Sequence, residues 1–158
     1  MTTIFPATIN GSSSNDTLIG TSNRDVIEGG AGNDILLGLQ GEDELRGDSD
    51  NDILYGGKGA DILWGGGGNN VLVGGAGNDS FSIGARTDNS TILDFTNNED
   101  RLDFFWSRLT FEEILISPVT NGTLITRASN GEVFATLIGV SPNLIDREDF
   151  TVAPLGIA

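Results

Sequence analysis

The chain has 158 residues, with 23 Asp and Glu against 8 Lys and Arg, for a net charge of -15. That balance excludes nucleic acid, whose partners cluster Lys and Arg, and disfavours an anionic membrane surface. With no Cys and no His, zinc, iron–sulfur, haem and copper sites lose their preferred ligands and Ser-His or Cys-His catalysis loses its base; hard oxygens remain, which suit calcium or magnesium.

Residues 1–10 form an N-terminal segment without a basic n-region or an apolar h-region, so no Sec-type signal is expected. No apolar run approaches the ~20 residues of a membrane-spanning helix.

From Gly11 to Ser82 a nine-residue unit recurs eight times, opening on Gly11, Gly20, Gly29, Gly38, Gly47, Gly56, Gly65 and Gly74. Its sixth position holds Asp16, Asp25, Asp34, Asp43, Asp52, Asp61, Asn70 and Asp79. Its eighth holds Leu18, Ile27, Leu36, Leu45, Leu54, Leu63, Leu72 and Phe81. Eighteen of the 23 glycines lie in this stretch. The last three residues of a unit make a short strand whose middle side chain points to one face and whose neighbours point to the other. The six before them make a turn in which glycine permits positive φ. Successive strands then belong to opposite sheets, two units close one coil of 18 residues, and the position-eight side chains meet in a dry seam.

The best copies, 29–37 and 74–82, resemble the glycine-rich nonapeptide of the RTX, or hemolysin-type, calcium-binding proteins, a β-helix repeat. The resemblance implies an all-β fold: a parallel β-roll, that is, a two-sheet right-handed β-helix over 11–82, closed by a β-rich capping region over 83–158.

The geometry of such a roll places calcium. Stacked strands lie about 4.7–4.9 Å apart and calcium–oxygen distances are about 2.3–2.6 Å, so one ion between stacked turns reaches two carboxylates. The expected pairs are Asp16/Asp34, Asp34/Asp52 and Asp52/Asn70 on one edge, and Asp25/Asp43, Asp43/Asp61 and Asp61/Asp79 on the other. That makes about six ions, which would move the net charge of -15 to about -3, each bringing two positive charges. Asp61/Asp79 ranks best and Asp16/Asp34 among the weakest. The resemblance further implies carbonyl ligands at positions one, two and four. These are Gly29, Gly30 and Gly32; Gly41; Gly56, Gly57 and Gly59; Gly65, Gly66 and Gly68; and Gly74, Gly75 and Gly77. The competing reading is a metal-free solenoid whose Asp residues only cap turns. A thin seam, costly backbone ordering and stacked like charges weigh against it, and predict a chain largely disordered without calcium.

Positions seven and nine face outward. In odd units they include Ile35, Leu37, Ile53, Tyr55, Val71 and Val73, an apolar stripe; in even units they are mixed. Such a stripe is either covered by a terminal part of the chain or used as a homodimer or partner surface.

After residue 82 the period stops. Strands are expected over 90–95, 101–105, 114–117, 123–127 and 133–138, with hairpin turns at Asn121-Gly122 and Asn130-Gly131. Ile92-Leu-Asp-Phe95 and Glu99-Asp-Arg-Leu-Asp-Phe104 resemble segments that close the β-rolls of serralysin-type proteases and alginate-epimerase R-modules. Asp94, Asp100 and Asp103 form either one further cation site or a solvated acidic turn.

No HExxH motif is present and the periodic carboxylates are already assigned, so catalysis is not expected. The resemblance implies a calcium-binding module secreted by a type I pathway without an N-terminal signal peptide, folding outside the cell. The alternatives are a calcium-dependent module binding acidic polysaccharide, or one for self-assembly or adhesion. A polysaccharide groove needs basic side chains, and Arg24, Arg46, Lys58, Arg86, Arg101, Arg108, Arg127 and Arg147 are scattered.

Overall fold

The computed structural model describes residues 7–83, 88–104 and 109–151. The repeats fold as the coil arithmetic requires. Strands β1 (Ala7–Asn10), β2 (Thr17–Ile19), β3 (Asp25–Gly30), β4 (Ile35–Gln40) and β5 (Glu44–Asp48) alternate between two sheets, as do β6 (Ile53–Lys58), β7 (Ile62–Trp64), β8 (Gly68–Ala76) and β9 (Ser80–Ser82). Partners in a sheet lie 18 residues apart, Leu36 beside Leu54 and Leu45 beside Leu63. All these pairings are parallel, so the roll is a stack of coils.

The stack extends past the repeats at both ends. Ahead of them, Ile9 of β1 pairs with Ile27 and so takes the seam position of a further coil. Behind them, β10 (Asp88–Ile92) sets Ile92 beside Leu72, and β11 (Arg101–Asp103) sets Leu102 beside Phe81. Here the offsets are 20 and 21 residues instead of 18. β12 (Ile114–Val119), β13 (Gly122–Arg127) and β14 (Val133–Ile138) form an antiparallel meander, and β14 joins β10 in parallel. β15 (Phe150–Thr151) ends the other sheet on β11. The sheets thus have eight and seven strands. The C-terminal strands lie close to the expected ranges; residue 105 and the tail 152–158 are outside the described residues.

The seam is the core. Ile27, Leu36, Leu45, Leu54, Leu63, Leu72 and Phe81 are fully buried, and Ile92, Leu102, Leu137 and Phe150 prolong the column. Each such side chain stabilises by about 1.5–3 kcal/mol. At the first coil Ile9 and Leu18 are only partly buried. At the other end Phe104, Phe134, Phe150 and Phe111 pack ring on ring, with centroids 5.3–5.6 Å apart, and close the seam. The outermost strand of the eight-stranded sheet, β12, carries Pro118, which removes a donor from that free edge.

The outer face of the eight-stranded sheet stays open among the described residues. Ile19 is 56%, Ile35 37%, Tyr55 41% and Leu93 45% exposed. On the other sheet the outward row is charged and aromatic: Glu28 pairs with Arg46 at 3.2 Å, and the Arg46 guanidinium lies 4.6 Å from the centre of the Trp64 ring.

Candidate metal centre

From unit three onward the turns between strands share one geometry, through backbone that bends the wrong way for most residues. Position two has positive φ at Gly30, Gly57, Gly66 and Gly75, and position four at Gly32, Gly41, Gly59, Gly68 and Gly77. Packing along the stack explains the requirement. A Cβ on Gly59 would strike the carbonyl oxygen of Gly41, and one on Gly77 that of Gly59. Carbonyls of like position therefore point up the stack at the next turn. Leu39, Asp48 and Asp50 adopt the same left-handed backbone at φ 77°, 74° and 77°, at a cost that the neighbouring coils must offset.

The position-six residues form a ladder on each edge. On one edge the backbone N–H of Asp16 donates to Asp34 Oδ1 (2.8 Å), that of Asp34 to Asp52 Oδ1 (2.8 Å) and that of Asp52 to Asn70 Oδ1 (2.9 Å). On the other, Asp25 donates to Asp43 (2.7 Å), Asp43 to Asp61 (2.8 Å) and Asp61 to Asp79 (2.9 Å). From Asp25 to Asp79 these side chains are at most 2% exposed. The structure thus brings together all the predicted pairs, but links them by N–H to Oδ1 rather than carboxylate to carboxylate. From Asp34 and Asp43 onward one side-chain oxygen of each residue is taken by the ladder; Asp16 and Asp25 begin it and only donate.

The other oxygen separates the turns into two kinds. In the first two units it is occupied from within its own turn. Asp16 Oδ2 accepts from the N–H (2.7 Å) and hydroxyl (2.9 Å) of Ser12. Asp25 Oδ2 accepts from the N–H (2.5 Å) and hydroxyl (3.0 Å) of Thr21. In units three to six, Oδ2 of Asp34, Asp43, Asp52 and Asp61 is buried with no hydrogen-bond partner. Unpaired buried carboxylate oxygen is costly. Burial pushes the carboxyls of Asp43, Asp52 and Asp79 up to about 6, with neighbouring carboxylates adding to it. It raises Asp61 and Asp100 as well.

Each orphaned oxygen borders a carbonyl of the next turn. A Cβ built on Gly29 would meet both Asp34 Oδ2 and the carbonyl of Gly47. The same holds at Gly38 for Asp43 and Gly56, at Gly47 for Asp52 and Gly65, and at Gly56 for Asp61 and Gly74. These cradles fit calcium, which takes six to eight oxygens and accepts carbonyls with carboxylates. No three acidic side chains converge among the described residues, so carbonyls must supply much of any shell. In unit seven the amide nitrogen of Asn70 occupies the equivalent place beside Gly65.

Three features escaped the reading of the sequence. Gly38 and Gly47 frame cradles although position two beside them is Leu39 or Asp48. Asp100 takes the next rung of the ladder, accepting at Oδ1 from the N–H of Asp79 (2.9 Å) and at Oδ2 from Thr96 (2.8 Å). Asp94 holds the N–H groups of Gly74 (3.0 Å) and Gly75 (2.8 Å). Asp103 lies instead on β11 beside Ser82, in the outward row. Third, Asn15, Asn33, Asn51 and Asn69 form an exposed ladder at position five of the odd units, each accepting from the N–H of the next at 2.8–3.0 Å. Its signal was the Asn recurring every 18 residues.

Comparison with known proteins agrees with this geometry. A family model of the RTX calcium-binding nonapeptide repeat, four copies long, matches residues 10–45 and again 46–81. No curated protein matches the chain in sequence. Among solved structures, the AlgE6R3 subunit of the Azotobacter vinelandii mannuronan C5-epimerase is 26% identical with a TM-score of 0.58, over 94% of this chain and 83% of that one. The AlgE6R2 subunit of the same enzyme is 25% identical with a TM-score of 0.52, over 97% of this chain and 96% of that one. Residues 10–81 thus match the RTX calcium-binding nonapeptide repeat along their whole length.

Proposed function

We propose that this chain is a module that folds on taking calcium between stacked turns of the roll, through the position-six acids and the carbonyls beside them. The observation that carries this reading is the set of buried Oδ2 atoms on Asp34, Asp43, Asp52 and Asp61 with no partner of their own. Calcium supplies the positive charge that would make burial of those carboxylates favourable. The chain's residues do the rest: the ladder fixes Oδ1 and turns Oδ2 toward the carbonyl above, and the left-handed turn backbone aligns carbonyls in columns. The role is cation binding and ordering; no catalytic step is assigned. RTX repeats are typical of secreted proteins, and release into calcium-rich surroundings would couple folding to export. Circular dichroism in EDTA and then in millimolar calcium tests the coupling. Gain of β signal on adding calcium is expected; an unchanged spectrum sinks the reading.

A second reading is favoured by one observation. The outer rows of the eight-stranded sheet, Ile35, Leu37, Ile53, Tyr55, Val71 and Val73 among them, carry no charge in a chain of net charge -15. That suits calcium-dependent assembly or adhesion through this face. Light scattering with and without calcium tests it; a monomer in both conditions removes self-assembly. The likeness to epimerase subunits supports a polysaccharide ligand instead, but Arg46, Arg127 and Arg147 each already face a carboxylate, at 3.2, 3.3 and 3.1 Å. An acidic polymer would have to compete with those partners.

A further inference from the structure

We infer that the roll holds four calcium ions rather than one between every stacked pair, because its first two turns are closed by their own Ser and Thr and only the steps above units three to six are open. The inference rests on the calcium reading above and assigns its sites.

An ion between two stacked turns needs the Oδ2 of the lower acid, the oxygen that borders the carbonyl one coil up, to be unused by its own turn. At the lowest step of each edge the lower acids are Asp16 and Asp25. Their Oδ2 atoms accept both the N–H and the hydroxyl of Ser12 and Thr21. A cation there must displace two hydrogen bonds and take a backbone N–H from its acceptor. At the next four steps nothing has to be displaced, since Oδ2 of Asp34, Asp43, Asp52 and Asp61 has no partner. Each of those four borders a carbonyl one coil up, from Gly47, Gly56, Gly65 or Gly74; Asp16 and Asp25 border those of Gly29 and Gly38 in the same way, so the difference lies in what Oδ2 already accepts.

The switch between the two kinds of turn is backbone conformation at position two. It has positive φ in all of units three to eight, Leu39 and Asp48 included, and not at Ser12 or Thr21. A closed turn needs its position-two N–H aimed at the acid four residues on. The turn beyond the repeats repeats the closed device, Thr96 donating to Asp100 Oδ2 at 2.8 Å with the same spacing of four. Above unit seven the amide of Asn70 takes the place of a free oxygen. In unit eight Gly75 also has positive φ, but the atoms nearest a Cβ on Gly74 are Asp79 Oδ2, its own carboxyl carbon and the Phe81 ring, with no carbonyl of a further coil among them, so the carbonyl half of the cradle is missing there.

The experiment counts ions on the full chain by native mass spectrometry and calorimetry in excess calcium. Asp-to-Asn variants suit it, because Asn70 shows that an Asn carbonyl keeps the ladder bond, at 2.9 Å. Four ions are expected for the unmodified chain, four for Asp16→Asn and Asp25→Asn, and three for Asp43→Asn and Asp61→Asn. Six ions in the unmodified chain, or loss of one in Asp25→Asn, overturns the inference while leaving calcium binding intact. No ion bound at all overturns the calcium reading itself. If Asp43→Asn fails to fold, the count in the unmodified chain and in Asp25→Asn still decides.

Discussion

Turns two and four sit on the same edge of the roll, one coil apart, and treat the same oxygen in opposite ways. Asp25 Oδ2 is held by Thr21, and Asp43 Oδ2, buried to the same degree, is held by nothing. Both acids keep their ladder bond to the acid above, at 2.7 and 2.8 Å. The fold therefore does not need the second oxygen; it leaves a choice. Where position two is Thr or Ser the turn completes itself, and in units three to six, where it bends to positive φ, Oδ2 is left without a partner. On the proposed reading, self-satisfied end turns and a cation-binding interior are made from one repeating unit.

Chelation is the widest way to separate the two regions. Each ion at a hundred times its dissociation constant contributes about 2.7 kcal/mol, so emptying four sites removes about 11 kcal/mol, comparable to the whole stability of a typical domain. Hydrogen exchange in EDTA should show amides of units three to six lose protection. Added calcium should restore them; full protection in EDTA would show that the interior turns need no metal.

The seam gives the next effect. Leu54 is fully buried between coils, whereas Leu18 at the first coil is only partly so. In saturating calcium, Leu54→Ala should cost about 2–5 kcal/mol and Leu18→Ala distinctly less, by urea unfolding. Equal costs would mean the first coil is as well packed as the interior.

Much of this was legible beforehand. The spacing of nine set the coil, position eight set the seam, and the recurring Asp set two ladders, because each is a periodic demand of stacking that a periodic sequence must answer. Two things were not. The direction of the ladder bond depends on turn backbone, and a carboxylate in a repeat looks the same whether its partner is a metal or an N–H. The turn-capping bonds that the metal-free alternative requires are present at Asp16 and Asp25, and Ser12 and Thr21 at position two were their signal. The capping segment was legible as strands, but not that Asp100 continues a ladder, since its offset from Asp79 is 21 residues and not 18.

Acidity sharpens the comparison further, in a direction that depends on calcium. In the metal-free fold Asp43, Asp52 and Asp79 sit at about 6 against an ordinary 3.8. A raised acid pKa means the folded chain holds protons that the unfolded chain releases. The stabilisation is full below about 4 and lost as pH rises through about 6. In EDTA the β signal should therefore be stronger near pH 5 than near pH 7. In calcium the order reverses, because ion and proton compete for the same oxygens, and apparent affinity should fall below about pH 6. A chain equally ordered at both pH values in EDTA would show that the interior acids ionise without penalty.

The smallest effect expected is at the closed turn itself. Thr21→Ala removes the hydroxyl that Asp25 Oδ2 accepts at 3.0 Å and leaves the N–H bond in place. Loss of a side-chain cap of this kind costs about 0.5–2 kcal/mol. That loss should appear as a lower urea midpoint, with the calcium count unchanged, since the backbone N–H still fills the oxygen. Glycine at the same position differs. It frees the backbone to adopt the positive φ of the turns above, so Thr21→Gly should cost at least as much without calcium and recover part of the loss as calcium rises. If the two variants respond alike to calcium, the hydroxyl alone sets the state of the turn and the backbone of position two does not.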